Sequence, residues 1–167
     1  MDVPPFVVVD TSAAVEVLVV DAERRDAYRS LFAELRRAGT GLVFCDLLEL
    51  ELIEAAFTWD LRRGADPRWR GKRKAGSPFA ERRPLELSIV DEWRSFVRGG
   101  KHAMVRGHDY IDGAIHLMHR TGLSSYDAIH AAAAISLGLP LMAHDRRLLD
   151  VASEHVEVIT GRVDGVR

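Results

Sequence analysis

Asp10, Asp127 and Asp145 stand where short apolar runs meet polar turns: Asp10 after FVVV, Asp127 early in SYDAIHAAAAISL, and Asp145 just past LPLMA. An ionised carboxylate gains nothing from apolar neighbours, so acids that frame buried elements must cap helices, pair with a cation or gather at a site. A fourth acid is available in the first turns of the helix expected after GLVFC. Glu51, with Leu47, Leu48 and Ala55 one turn away, and Glu49, with Cys45, Leu52 and Ile53, both lie within apolar arcs, so periodicity alone leaves the choice between them open. Convergent carboxylates repel unless something cationic joins them, and hard oxygen ligands select Mg²⁺ or Mn²⁺. Such an ion keeps several waters, prefers phosphate oxygens as its other ligands, lowers the pKa of a water and steadies a phosphate under in-line attack. That is nuclease chemistry. Taken singly each acid also has a purely structural use, since Ser124 to Asp127 fits a capping box and Asp10 and Asp145 can each be an ordinary N-cap.

The elements that must position these acids alternate. Strands are expected at FVVV (6–9), GLVFC (41–45), LPLMA (139–143) and VEVIT (156–160). Helices are expected at AAVEVLVV, at ERRDAYRSLFAELRRAG ending on Gly39, at DLLELELIEAAFT with Asp46 as cap, at LELSIVDEWRSFV, at HDYIDGAIHLMHRTG ending on Gly122, and across the Ala131–Ala134 run. This alternation predicts an α/β fold with a mainly parallel central sheet covered on both faces, in a single domain over 1–167. In such a sheet ligands bind beyond the carboxyl ends of the strands, where Asp10, Asp145 and the helix starts would meet.

Composition bounds the rest. At 167 residues, 47% hydrophobic and 29% charged, the chain reads as one globular unit, and a formal charge of −2 predicts no overall attraction to polyanions. Cys45 is the single cysteine, no run is long and apolar enough to cross a membrane, and the first residues lack the pattern of a secretion signal, so the expected location is the cytoplasm. One stretch departs from this balance. Residues 60–83, DLRRGADPRWRGKRKAGSPFAERR, carry nine basic and three acidic residues, a net +6 that leaves −8 for everything else. Its Gly, Pro and charge content predict a surface loop or hairpin, with Trp69 suited to stacking on a base or pinning the loop.

VVVDTSAAV, ELIEAA, SSYDAIHAAAA and PLMAHDRRL, in that order and at those separations, resemble the PIN-domain ribonucleases, most closely the VapC-type toxins of bacterial toxin–antitoxin pairs. The resemblance runs from about residue 6 to residue 160, and the Tyr-Asp-Ala helix start followed by an apolar strand and Asp is its most specific part. It implies a three-layer α/β/α fold, one or two Mg²⁺ or Mn²⁺ ions, and cleavage of RNA phosphodiesters to a 5′-phosphate and a 3′-hydroxyl. By matching, Asp10, Glu51, Asp127 and Asp145 are the metal-binding carboxylates, with Glu51 selected over Glu49 and Glu54 by the pattern that follows it. Thr11 or Ser12 takes the place of the polar residue after the first Asp, suited to holding a water or a phosphate oxygen. The resemblance further implies a homodimer and a VapB-like antitoxin lying over the acids.

Two features depart from the family. His144 stands where a small residue is more usual, and its imidazole is placed to donate to phosphate or to face solvent. The basic stretch is longer than the family's usual connection, and Arg68, Arg70, Lys72, Arg73 and Lys74 are its candidate RNA contacts. Other constellations are weaker: His116 and His119 lie one turn apart without a third ligand, His130 is spaced to bond Asp127, and Arg146 and Arg147 follow Asp145. A haloacid-dehalogenase-type phosphatase needs an Asp at position 12, where Ser12 stands, and a receiver domain needs an acidic pair at the first strand. The remaining rivals are a PIN nuclease of RNA processing without antitoxin and a non-catalytic PIN-like binding module.

Overall fold

The computed structural model describes residues 4–19, 22, 24–63 and 84–161, with the backbone alone for 57–63 and 84–87. FVVV forms β1 (Phe6–Val9) and GLVFC forms β2 (Gly41–Cys45); both are β-branched or bulky runs that a two-sided burial favours. With β3 (His102–Val105), β4 (Leu141–Met142) and β5 (Val158–Ile159) they make one sheet in the order β3-β2-β1-β4-β5, every pair parallel. The side-chain period of two divides the core between the faces. Val7, Val9, Leu42, Phe44 and Met142 point into one core, and Val8, Val43 and Leu141 into the other.

Each face has its own helices. Helices α1 (Thr11–Leu18), α2 (Arg25–Arg37), α3 (Leu48–Arg63) and α4 (Pro84–Arg98) cover the first face, burying Val17, Tyr28, Phe32, Leu52, Ile89 and Trp93. Burial of side chains of this size stabilises by roughly 1.5–3 kcal/mol each. Helices α5 (Ile111–Thr121), α6 (Ser125–Leu137) and α7 (Arg146–Ala152) cover the second face. The division follows from the chain path. From β1 it steps to β2 and β3 on one side, then returns past β1 to β4 and β5 on the other, and crossovers of one hand put the helices of the two directions on opposite faces. The order therefore reverses between β1 and β4, the switch point at which an open parallel sheet leaves a crevice.

Small residues let α6 come close. Ala128, Ala131, Ala132, Ala133 and Ala134 are all buried, and a side chain at Gly113 of α5 would begin 3.3 Å from Ala132 Cβ. The expected glycine stops hold: Gly39 and Gly122 take φ of 81° and 68°, a region that costs other residues strain.

Three local expectations change. The fifth strand, β3, was not expected, because HAMV has a single β-branched residue and no alternation; as an edge strand with His102, Ala103 and Met104 exposed it needs neither. Asp46 ties two loops together, its Oδ1 accepting from Gly107 N at 2.9 Å, and α3 starts two residues later. Of the stretch expected as a loop, residues 60–63 are the end of α3, whereas 64–83, with Arg68, Arg70, Lys72, Arg73 and Lys74, lie outside the described residues.

Candidate active site

The strand β1 ends and α1 begins on Asp10, which caps the helix: its Oδ2 accepts from Ser12 N at 2.9 Å and from the Ser12 hydroxyl. The same Ser12 oxygen accepts from His144 N at 2.8 Å and Asp145 N at 3.3 Å. One hydroxyl thus fastens the end of β1 to the end of β4 across the switch point. Asp145 caps α7 by accepting from Leu148 N at 2.9 Å, and Ser124 caps α6 by accepting from Asp127 N at 3.2 Å while donating to Asp127 Oδ2 at 2.7 Å. Helix capping and convergence on one cleft are compatible for these acids, since a cap needs only one carboxylate oxygen.

That cleft, about 280 Å³, is lined by Asp10, Thr11, Ser12, Glu51, Glu54, Ala55, Tyr126, Asp127 and Asp145. All four expected acids are brought together, and the choice left open by periodicity resolves. Glu51 faces the cleft; Glu49 turns to Arg94, which donates to it through Nε at 2.9 Å and Nη2 at 2.6 Å. Glu54, one turn after Glu51, adds an exposed acid at the rim. His116 and His119 are exposed on α5.

His130, expected from its spacing to bond Asp127, has other partners. It is fully buried, and its Nε2 lies 2.9 Å from Glu51 Oε2 and 3.8 Å from Asp10 Oδ1, so it reaches these acids and its closest bond is not the one expected to Asp127. Thr11 also donates to Glu51 Oε2. The other ring nitrogen, Nδ1, has the Cys45 sulfur as its polar neighbour, a weak partner that forms no well-shaped hydrogen bond. The signal was available: a histidine on an otherwise apolar helix must find a partner when buried.

The charges are strained against one another. Burial, the largest influence, pushes the Asp10 carboxyl up from its ordinary value; His130 and Ser12 oppose this and Glu51 adds to it. Asp127 is raised first by burial and then by Asp10 and Asp145, with Ser124 and His130 opposing. Burial alone would lower His130, yet Cys45, Glu51 and Asp10 outweigh it and raise the imidazole well above its usual value. A buried imidazole whose protonation the neighbouring acids favour is therefore set among acids that still repel. An oxygen-rich donor set in this state fits a hard divalent cation. Among the described residues no three His, Cys, Asp or Glu side chains are grouped to enclose an ion. Mg²⁺ does not require such a cage, being held by one or two carboxylates with water and substrate phosphate completing its shell.

The fold is similar to that of VapBC2 from Rickettsia felis, solved bound to a DNA fragment from the promoter (11% identity, TM-score 0.57, covering 93% of this chain and 98% of that one). It is also similar to PAE2754 from Pyrobaculum aerophilum (20% identity, TM-score 0.54, covering 91% and 89%) and to FitAB bound to the IR36 DNA fragment (13% identity, TM-score 0.50, covering 96% and 99%). No curated protein matches the sequence. The PIN domain family model matches residues 7–154, a span that contains all four acids of the cleft and the sheet that assembles them, and the chain belongs to the PIN domain family.

Proposed function

We propose that this chain, read as one domain over 1–167, is a Mg²⁺- or Mn²⁺-dependent endoribonuclease and the toxin of a toxin–antitoxin pair. The observation that carries the reading is the convergence of Asp10, Glu51, Asp127 and Asp145 on one cleft at the switch point of the sheet. These four would hold the metal, which supplies an activated water and offsets charge on the phosphate. Ser12 keeps Asp10 in fixed relation to the Asp145 backbone, and Thr11 and His130 fix one oxygen of Glu51. Water then attacks phosphorus in line, the bond to the 3′-oxygen breaks, and a 5′-phosphate and a 3′-hydroxyl are left.

The partner half of the reading draws on the solved VapBC2 and FitAB assemblies. It gives this chain a VapB-like antitoxin whose basic side chain enters the acids, and a homodimeric state that light scattering would check. No helix among the described residues is long and apolar enough to cross a membrane, and the reading places the protein in the cytoplasm. The test of activity is cleavage of total RNA by purified protein with Mn²⁺ or Mg²⁺, beside Asp10→Asn and Asp127→Asn proteins shown folded by circular dichroism. Cleavage by wild type alone, abolished by EDTA, is expected; equal traces from all three would overturn it.

A further inference from the structure

A second cavity, about 290 Å³, adjoins the acid cleft and shares Asp145 with it; its other lining residues are Arg24, His144, Arg146, Leu149 and Thr160. The two differ in charge. The cleft is lined by five acids and no base, whereas this cavity sets Arg24 and Arg146 against Asp145 alone. Arg24 is held in place: its backbone N donates to Glu16 Oε2 at 3.0 Å, and its Nη1 donates to His144 Nε2 at 2.6 Å. Arg146 makes only a long contact, 3.8 Å, to Asp150 on the exposed face of α7, a pairing of a kind that holds a side chain weakly. Among the described residues, the carboxylates near these cations include Asp145, in the shared wall, Asp150 beside Arg146, and Glu16, whose Oε1 is 3.9 Å from His144 Nε2.

A polyanion enters a cleft of five acids only where metal offsets them, and the phosphate next along the chain needs cations of its own. We infer that the cavity lined by Arg24, His144 and Arg146 seats an RNA phosphate neighbouring the scissile one. This rests on the nuclease reading above and gives it a direction: the RNA runs from the acid cleft over Asp145 towards the start of α2. His144, the residue that departs from the family pattern, then serves to orient Arg24. Neutralising Asp145 through metal in the cleft removes the main opposing charge, so phosphate binding here strengthens when metal is bound.

The test is binding of a short fluorescent RNA in Ca²⁺, followed by anisotropy across a salt series, with cleavage in Mg²⁺ measured in parallel. The probe protein is Arg24→Gln/Arg146→Gln, and the control is Arg37→Gln/Arg98→Gln. Arg37 and Arg98 end α2 and α4, which lead into β2 and β3, so they lie at the amino ends of the strands, away from the cleft at the carboxyl ends. The probe variant is expected to bind about tenfold more weakly and to lose roughly 0.7 from the slope of log K against log salt for the lost phosphate contact, with the control at wild-type values. A methylphosphonate walked along the RNA should weaken wild type most at one position beside the cleavage site, and should have no added effect there on the probe variant.

If wild type binds and cleaves RNA while the probe variant keeps its slope and its methylphosphonate profile, the inference falls and the nuclease reading stands. If wild type neither binds nor cleaves, both fall. If inorganic phosphate alone binds wild type but not the probe variant, and RNA binding is the same in both, the cavity is a free-anion site and the inference is overturned.

Discussion

The two sides of the acid cleft are made of the same residue types in opposite settings. Asp10 is buried, 3% exposed, and Glu51 beside it is tied to Thr11 and His130; Asp127 and Asp145 cap or brace helices at the solvent edge. The first side has a buried imidazole of its own beside the carboxylates. Among the described residues the second is bonded by hydroxyl and backbone donors, and there Asp10 and Asp145 both push on Asp127. Structure is thus concentrated on the Asp10 side, and the demand for an external cation on the Asp127 side. Asp127→Asn is the largest way to break the comparison. It should cut RNA cleavage by at least about a hundredfold, the loss of a few kcal/mol of charge stabilisation, with little change in unfolding midpoint. Asp10→Asn should cost as much activity and also perturb stability, since its oxygen organises Ser12; equal stability effects in a urea titration would dissolve the distinction.

His130 tests the closed side directly. Removing one partner of a buried ion pair leaves an uncompensated charge, so His130→Leu should destabilise by about 3–5 kcal/mol in urea unfolding. His130→Gln keeps a donor and should lose less. The pH dependence has a definite sign. Because the folded-state pKa of His130 is raised, its stabilisation is fully present below the unfolded value near 6.5 and is lost as pH rises through the folded value. Asp10 is raised too, so stability also falls as pH rises from its ordinary 3.8 to its folded value, and does not change further above that. Melting temperature in EDTA should therefore decline above neutral pH in wild type and decline less in His130→Gln. Added Mg²⁺ should stabilise most on the alkaline side, where the acids are fully charged. A flat wild-type profile would mean that His130 is not held cationic in the folded state.

The central strands and the acids were legible because both are dictated by local pattern. FVVV and GLVFC are buried on both faces, and a strand so placed must be apolar throughout; Asp10, Asp127 and Asp145 sit at element ends, where a carboxylate has a reason to be. What was illegible depended on partners distant in sequence. HAMV becomes a strand because β2 offers it a free edge, a tertiary fact that overrides weak propensity. Glu49 and Glu51 are separated only by Arg94, forty-five residues after the first of them, and by His130 and Thr11 on the other side. Asp46 looked like a helix cap because the local signal is strong, but Gly107 N was the donor that folding brought to it.

Ser124 joins the two kinds of role, and its removal is the smallest of these changes. As an N-cap its loss to Ala should cost α6 about 1 kcal/mol. The hydroxyl also donates to Asp127 Oδ2 and opposes the rise of that acid's pKa, so without it Asp127 takes up a proton more readily. Ser124→Ala should therefore shift the acid limb of the cleavage profile to higher pH, with near-normal rates at alkaline pH. Ser124→Asp separates the two effects: it restores a capping oxygen, so stability should recover, but it sets a second carboxylate against Asp127, so the acid limb should move further. Recovery of both stability and the pH profile by Ser124→Asp would mean that capping alone explains the residue, and that the edge of the cleft is less sensitive to charge than the raised Asp127 implies.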